Sequence, residues 1–272
     1  MVKGEVKKLK ISPLTLDDKF VREGLNAVST LTNKEPYYLV GGVATQSYIP
    51  TTCRRPTSDI DCSIVKPLNY QKFKEIAKPV IEYLKDYGYC VETRQRSRSF
   101  NLDVEKKDGK RLLIEFSKRN NQSFEKSKKR LERELENAKR KIVEKGEGTY
   151  VVSAPEDIIV PKLVRSVNSL TRNPQFRNNI PRKTILSNKD VQNRLEKINN
   201  FREYAMMTPT DLEFAEELRF VSDIYDIEIL SITAGINGEY FKKASKDWYS
   251  LNGNTLEKQI LFDIIPKINM SH

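Results

Sequence analysis

Residues 37–65 read YYLVGGVATQSYIPTTCRRPTSDIDCSIV, and the order of residue types in this stretch decides the fold. The apolar run 37–40 predicts a strand, broken at once by the Gly41-Gly42 pair. A short helix is expected over about 43–48, then a polar loop carrying Arg54, Arg55, Thr57 and Ser58. A second strand follows. Because side chains alternate along a strand, it sets Asp59 and Asp61 on one face and Ile60 and Cys62 on the other.

Two carboxylates about 7 Å apart on one strand face repel each other. At close approach the cost is about 1 kcal/mol in water and about 4 kcal/mol at an effective dielectric near 20. A cation between them reverses the sign. Carboxylate oxygens are hard ligands that suit Mg²⁺ or Mn²⁺, and such ions are commonly shared with substrate phosphates. The Gly41-Gly42 turn lets backbone N–H groups approach an anion without Cβ obstruction. Taken singly, a Gly-Gly pair is usually only a turn, and an Asp-x-Asp only a solvated strand edge. Together the pieces compose one site for a metal-bound triphosphate, with Gly41, Gly42, Thr57 and Ser58 as phosphate contacts.

The order strand, Gly-Gly, helix, Arg54-x-x-Thr57-x-Asp59-x-Asp61 resembles the signature of the DNA polymerase beta-like nucleotidyltransferase superfamily. It looks most like the minimal nucleotidyltransferases of the AbiEii/MenT toxin type. The loop between Gly42 and Asp59 is longer than in that superfamily. The resemblance implies an α+β fold, with a mixed-sheet nucleotidyltransferase core over residues 1–152 and a helical domain over 153–272 that completes the active-site cleft. It implies Asp59 and Asp61 as metal ligands, joined by a third carboxylate from a neighbouring strand. It also implies an NTP as substrate. RNA, through a tRNA 3′ end, is the family-based acceptor, and an antitoxin protein is a possible partner. A protein hydroxyl or a small molecule is an alternative acceptor.

Composition bounds the reading. The chain has 272 residues, a net charge of +11 and a pI near 9.4. That balance suits a polyanionic partner, or equally a Lys-rich solvated surface. No apolar run is long enough for a membrane span, and the basic N-terminus lacks the apolar segment of a secretory signal. Three cysteines without CxxC spacing, Cys53, Cys62 and Cys90, point to a reducing, cytoplasmic compartment. The single histidine is His272, which excludes an internal histidine base and any His-ligated metal site. Metal-assisted nucleotidyl transfer is compatible with that restriction.

Along the chain, an apolar stripe predicts a helix over 13–31, with Thr15 and Asp18 as a capping box. A second helix is expected over 68–87, kinked by Pro79. Strands follow near 89–94, 98–105 and 111–117, the last two joined at Asp108-Gly109. Glu115 lies inside the apolar run RLLIEFS and is the candidate third metal ligand, with Asp103 as the alternative. If it points outward from an edge strand, Glu115 has no such role.

A charged helix is expected over 123–144, with Leu131, Leu135, Ala138 and Ile142 as its stripe, then a short strand at 150–152. Residues 155–272 read as almost wholly helical. The segment SAPEDIIVPKLVRSV resembles a helix start of the AbiEii-type enzymes, and that resemblance makes Lys162 a functional lysine near the triphosphate. The loop 171–186, TRNPQFRNNIPRKTIL, sets Phe176 among Arg172, Arg177, Arg182 and Lys183. That mixture suits nucleic-acid phosphates and base stacking, or an ordinary flexible loop. A helix begins near Ser187, and the resemblance carries an active-site aspartate onto Asp190. Further helices are expected near 208–222, 238–250 and 254–265, with Trp248, Tyr249 and Phe262 in the core.

Overall fold

A computed structural model describes residues 14–146, 148–181, 185, 187–208 and 211–246. It has an N-terminal mixed β-sheet with flanking helices, followed by an all-helical C-terminal region. The chain divides into two compact units. The first comprises residues 1–43, 56–131 and 140–152, and the second 44–55, 132–139 and 153–272.

The sheet has seven strands: β1 (Tyr37–Val40), β2 (Asp59–Ile64), β3 (Cys90–Gln95), β4 (Ser99–Glu105), β5 (Arg111–Ser117), β6 (Lys139–Ile142) and β7 (Thr149–Val152). Their spatial order is β3-β4-β5-β2-β1-β7-β6. β2 runs antiparallel to β1 and parallel to β5, so it is an inner strand with neighbours on both sides. β5 is also internal, lying between β2 and β4, which excludes the edge position for Glu115.

Alternation divides the sheet into two faces. Ile60, Cys62, Phe100, Leu102, Val104, Leu112, Ile114 and Phe116 are all buried. Helices α1 (Lys19–Ser29) and α3 (Tyr70–Asp86) supply the cover. α1 lies so close that a Cβ on Gly24 would sit 2.6 Å from Leu112 Cδ2 and 2.9 Å from Ile60 Cδ1. In α3, Phe73 stacks on Phe100 at 5.1 Å and meets Phe116 edge-on at 5.4 Å. The two helices begin later than their stripes suggest. The Asp18 carboxylate accepts the Thr15 N–H at 2.6 Å, and the helix starts only after Asp18. Asn69 caps α3 by accepting the Lys72 N–H at 2.9 Å.

The expected helix 123–144 is corrected at its end. α4 spans Asn121–Asn137, and the chain then becomes β6. Neighbouring β7 offers an edge, and backbone pairing to it overrides the helical periodicity. Ile142, which would have closed the helical stripe, is 72% exposed, and Val143 is buried instead.

The second unit contains α5 (Pro155–Arg172), α6 (Asn188–Met207), α7 (Leu212–Thr233) and α8 (Gly238–Lys246). Pro155 stands at the first turn of α5, where its missing N–H costs nothing. Ser187 caps α6 and Asp211 caps α7. The expected helix 254–265, with Trp248, Tyr249 and Phe262, lies outside the described residues. No helix among the described residues is long and apolar enough to cross a membrane.

Phe73 is fully buried among three aromatic rings. Phe73→Ala is expected to destabilise the chain by about 3–5 kcal/mol, read as a lower midpoint in urea unfolding with an unchanged slope.

Candidate active site

Pairing aligns the candidate carboxylates. Across the sheet, Val40 pairs with Asp61, Asp61 with Glu115, Glu115 with Asn101, and Asn101 with Arg94. The next row holds Asp59, Leu113, Asp103 and Glu92. Paired residues point to the same side of a sheet, so Asp59, Asp61, Glu115 and Asp103 share the face opposite the packed helices.

The Gly41-Gly42 turn closes over this face, opening the short helix α2 (Gly41–Gln46). Gly41 has φ +75°, and a Cβ there would lie 1.9 Å from Asp61 Oδ2. Both the backbone conformation and the contact therefore demand glycine. A Cβ on Gly42 would lie 2.6 Å from Thr57 Oγ1. Thr57 in turn donates from Oγ1 to Asp59 Oδ1 at 2.7 Å and is held by paired backbone bonds with Leu14 at 2.7 and 2.9 Å. The Ser58 carbonyl accepts the Leu113 N–H at 3.1 Å, tying the loop to β5.

Glu115 is half-buried, and its Oε1 accepts from Asn101 Nδ2 at 3.2 Å. Burial raises its pKa, the charge of Asp59 raises it further, and Arg96 and the Asn101 bond pull the other way. Asp103 is committed to Arg94, 2.9 Å from Asp103 Oδ2. Of the two candidates for a third metal ligand, Asp103 is thus held in a direct ion pair, whereas Glu115 is hydrogen-bonded by the neutral Asn101 amide.

Among the described residues, no three His, Cys, Asp or Glu side chains form a ready-made metal cluster. The acidic face nevertheless fits a hard divalent cation. Its oxygens belong to carboxylates of like charge on adjacent strands. Such a cation also takes substrate phosphates to complete its shell.

In the second unit Lys162 is buried, 3% exposed, and is not a surface lysine. Its Nζ lies 2.7 Å from Asp226 Oδ2 and 3.2 Å from Asp223 Oδ1. Arg55 grips Asp226 through two bonds, at 2.8 and 2.6 Å, and Arg165 grips Asp223 through two at 2.9 Å. Burial alone pushes the Asp226 carboxyl up, but Arg55 and Lys162 together overcome this and hold it below the usual carboxylate range. Asp190 lies elsewhere, in the first turn of α6, accepting from Ser187 Oγ at 2.7 Å.

The carboxylates that position Lys162 are therefore Asp223 and Asp226, which sequence reasoning missed. Their signal was SDIYDIEIL, residues 222–230, where three acids interrupt an apolar run. Buried acids in such a run must find cations.

Arg172 is exposed and pairs with Glu216, and Arg177 is exposed. Arg182 and Lys183 lie outside the described residues. Phe176 is not available for base stacking: it is 1% exposed and packs on Phe220 at 5.6 Å.

Glu228 is fully buried on α7, with Oε2 3.1 Å from Arg194 and Oε1 lacking a hydrogen bond. Burial raises its pKa to about 7, against the pull of Arg194. A raised folded-state pKa contributes stability that is full below the unfolded value and lost as pH rises through the folded one. Glu228→Gln should therefore gain stability relative to the parent as pH rises from about 4.5 to 7, by up to about 1.4 kcal/mol per pH unit. Chemical denaturation of both proteins across that range checks the slope. Gly41→Ala must adopt φ +75° and displace Asp61; thermal unfolding should show a loss of at least about 1 kcal/mol.

No protein-family model matches the chain, and no curated protein matches it. Two solved structures are similar at fold level. One is an antigenic nucleotidyltransferase-like protein from Paracoccidioides brasiliensis, 15% identical, with a TM-score of 0.40 over 92% of this chain and 94% of that one. The other is MenT4, a nucleotidyltransferase toxin from Mycobacterium tuberculosis H37Rv, 13% identical, with a TM-score of 0.38 over 89% and 85%. Both similarities are weak and partial, and the functional reading rests on the residues of this chain.

Proposed function

We propose that the chain is a metal-dependent nucleotidyltransferase that moves an NMP from an NTP to a hydroxyl acceptor, with RNA, such as a tRNA 3′ end, as acceptor. The observation that carries this is the row of Asp59, Asp61 and Glu115 on adjacent strands, with the Gly41 backbone closed against the Asp61 carboxylate. On this reading residues 1–152 are the catalytic core and 153–272 a helical domain.

Asp59, Asp61 and Glu115 would hold Mg²⁺ or Mn²⁺, which supplies charge neutralisation at the phosphates and a lowered pKa at the acceptor hydroxyl. Gly41 and Gly42 present backbone, and Thr57 and Ser58 hydroxyls, to the triphosphate. Asp61 or Glu115 would accept the acceptor's proton. Lys162 is assigned to charge developing on the leaving pyrophosphate, Asp190 to the acceptor, and Arg172, Arg177, Arg182 and Lys183 to nucleic-acid phosphates. An antitoxin protein is a candidate partner, and the cytoplasm a candidate location.

The test is incubation with each α-labelled NTP, Mg²⁺ and total RNA. Label should enter RNA with the parent. It should fall by about 10²–10³-fold or more with Asp59→Ala or Asp61→Ala. Melting temperatures should be unchanged or higher, since like charges are removed. Absence of label together with a Mg²⁺-dependent thermal shift on adding NTP moves the acceptor away from RNA. Absence of both sinks the enzyme reading in favour of a non-catalytic nucleic-acid binder.

A further inference from the structure

The hairpin between β3 and β4 reads TRQRSRS over residues 93–99, and its arginines have no part in the chemistry above. Arg94 is neutralised locally, by Asp103 at 2.9 Å and Glu92 at 3.0 Å. Arg96 and Arg98 are exposed. Among the described residues, neither has a carboxylate within ion-pair distance. Their backbone is fixed all the same: Arg96 N–H donates to the Ser99 carbonyl at 2.8 Å, and the Arg98 carbonyl accepts from Lys118 N–H at 3.0 Å.

The place of this tip matters. Ser99 pairs with Ser117, two residues past the Asn101–Glu115 pair, so the tip stands roughly 7 Å along the strands from Glu115. Arg96 is close enough for its charge to act on Glu115. In the order β4-β5-β2-β1, the hairpin and the Gly41-Gly42 turn lie on opposite sides of the β5–β2 carboxylates. They also lie toward opposite ends of the strands, since Gly41 follows Val40, the partner of Asp61. An in-line displacement places the incoming hydroxyl and the leaving group on opposite sides of the phosphorus. With the triphosphate on the glycine side, the hairpin borders the acceptor side.

Two exposed guanidinium forks on a fixed turn, without a carboxylate in ion-pair distance among the described residues, match phosphate oxygens in charge and in geometry. We propose that Arg96 and Arg98 form a phosphodiester-binding site that holds the acceptor RNA strand beside the carboxylate row; this rests on the nucleotidyltransferase reading of that row. The NTP is the other source of the same phosphate chemistry, and the test separates the two.

Binding of a fluorescent single-stranded RNA is measured across a salt series for the full chain, for Arg96→Gln/Arg98→Gln, and for Lys107→Gln/Lys110→Gln. The lysine pair removes the same charge from the exposed β4–β5 turn. The arginine pair should weaken binding by about tenfold and flatten the log–log salt slope by about 1.4, the share of two single-strand phosphates. The lysine pair should change affinity less than about twofold. Where transfer is measurable, KM for RNA should rise and KM for NTP stay constant. Equal losses from both pairs, an unchanged slope, or a rise in KM for NTP instead would each overturn the proposal. Binding is read without turnover, so its result stands apart from the fate of the transferase reading, which Asp61→Ala decides.

Discussion

The register of β2 against its two neighbours is the constraint on which the first unit depends. Asp61 is paired with Val40 on one side and Glu115 on the other. A slip of one residue would turn Asp59 and Asp61 into the packed face and Ile60 and Cys62 out of it. Burial prevents that slip. Ile60, Ile114 and Phe116 are 0% exposed beneath α1 and α3, and no alternative register buries them while leaving the acids outside. The apolar face therefore fixes where the acidic face stands, to the residue.

The second unit solves a harder electrostatic problem. Asp223, Asp226 and Glu228 lie on one helix, and all are buried. Removing a charge from water costs several kcal/mol unless it is paired with good geometry. Asp226 meets that condition with Arg55 and Lys162, and Asp223 with Lys162 and Arg165. Glu228 meets it only by half, with one oxygen on Arg194 and the other unbonded. Its raised pKa and the lowered pKa of Asp226 follow from that difference in partners.

Much of the first unit was legible in the sequence because period-2 alternation and turn chemistry are local. The strand at 111–117, the Asp108-Gly109 hairpin and the Asp59/Asp61 face follow from neighbouring residues alone. Pairing between distant segments was not legible. Residues 139–142 look helical by stripe and become a strand because β7 offers an edge. Phe176 sits among arginines in sequence yet packs on Phe220 of α7. Lys162 reads as a functional lysine from its place on α5, but its partners Asp223 and Asp226 on α7 are not visible from that segment. In each case the deciding contact lies across a sequence separation that periodicity does not encode.

The distribution of favourable and unfavourable terms separates scaffold from chemistry. The packed face of the sheet carries hydrophobic burial and aromatic contacts, each of which stabilises the fold by itself. The opposite face concentrates three features that are locally unfavourable. Gly41 occupies a positive-φ conformation. Asp59 and Asp61 hold like charges on one strand face. Glu115 is half-buried, with its pKa pushed up by burial and by Asp59. None of the three adds to the packing of the apolar face, and Gly41 is held to glycine by its conformation and by the Asp61 carboxylate. On the nucleotidyltransferase proposal, a bound cation and a phosphate chain would offset these costs: the like charges would become ligands, and the Gly41-Gly42 backbone would face the phosphates. Local costs that converge on one place, and that one class of ligand would relieve together, are how strain marks a reactive site.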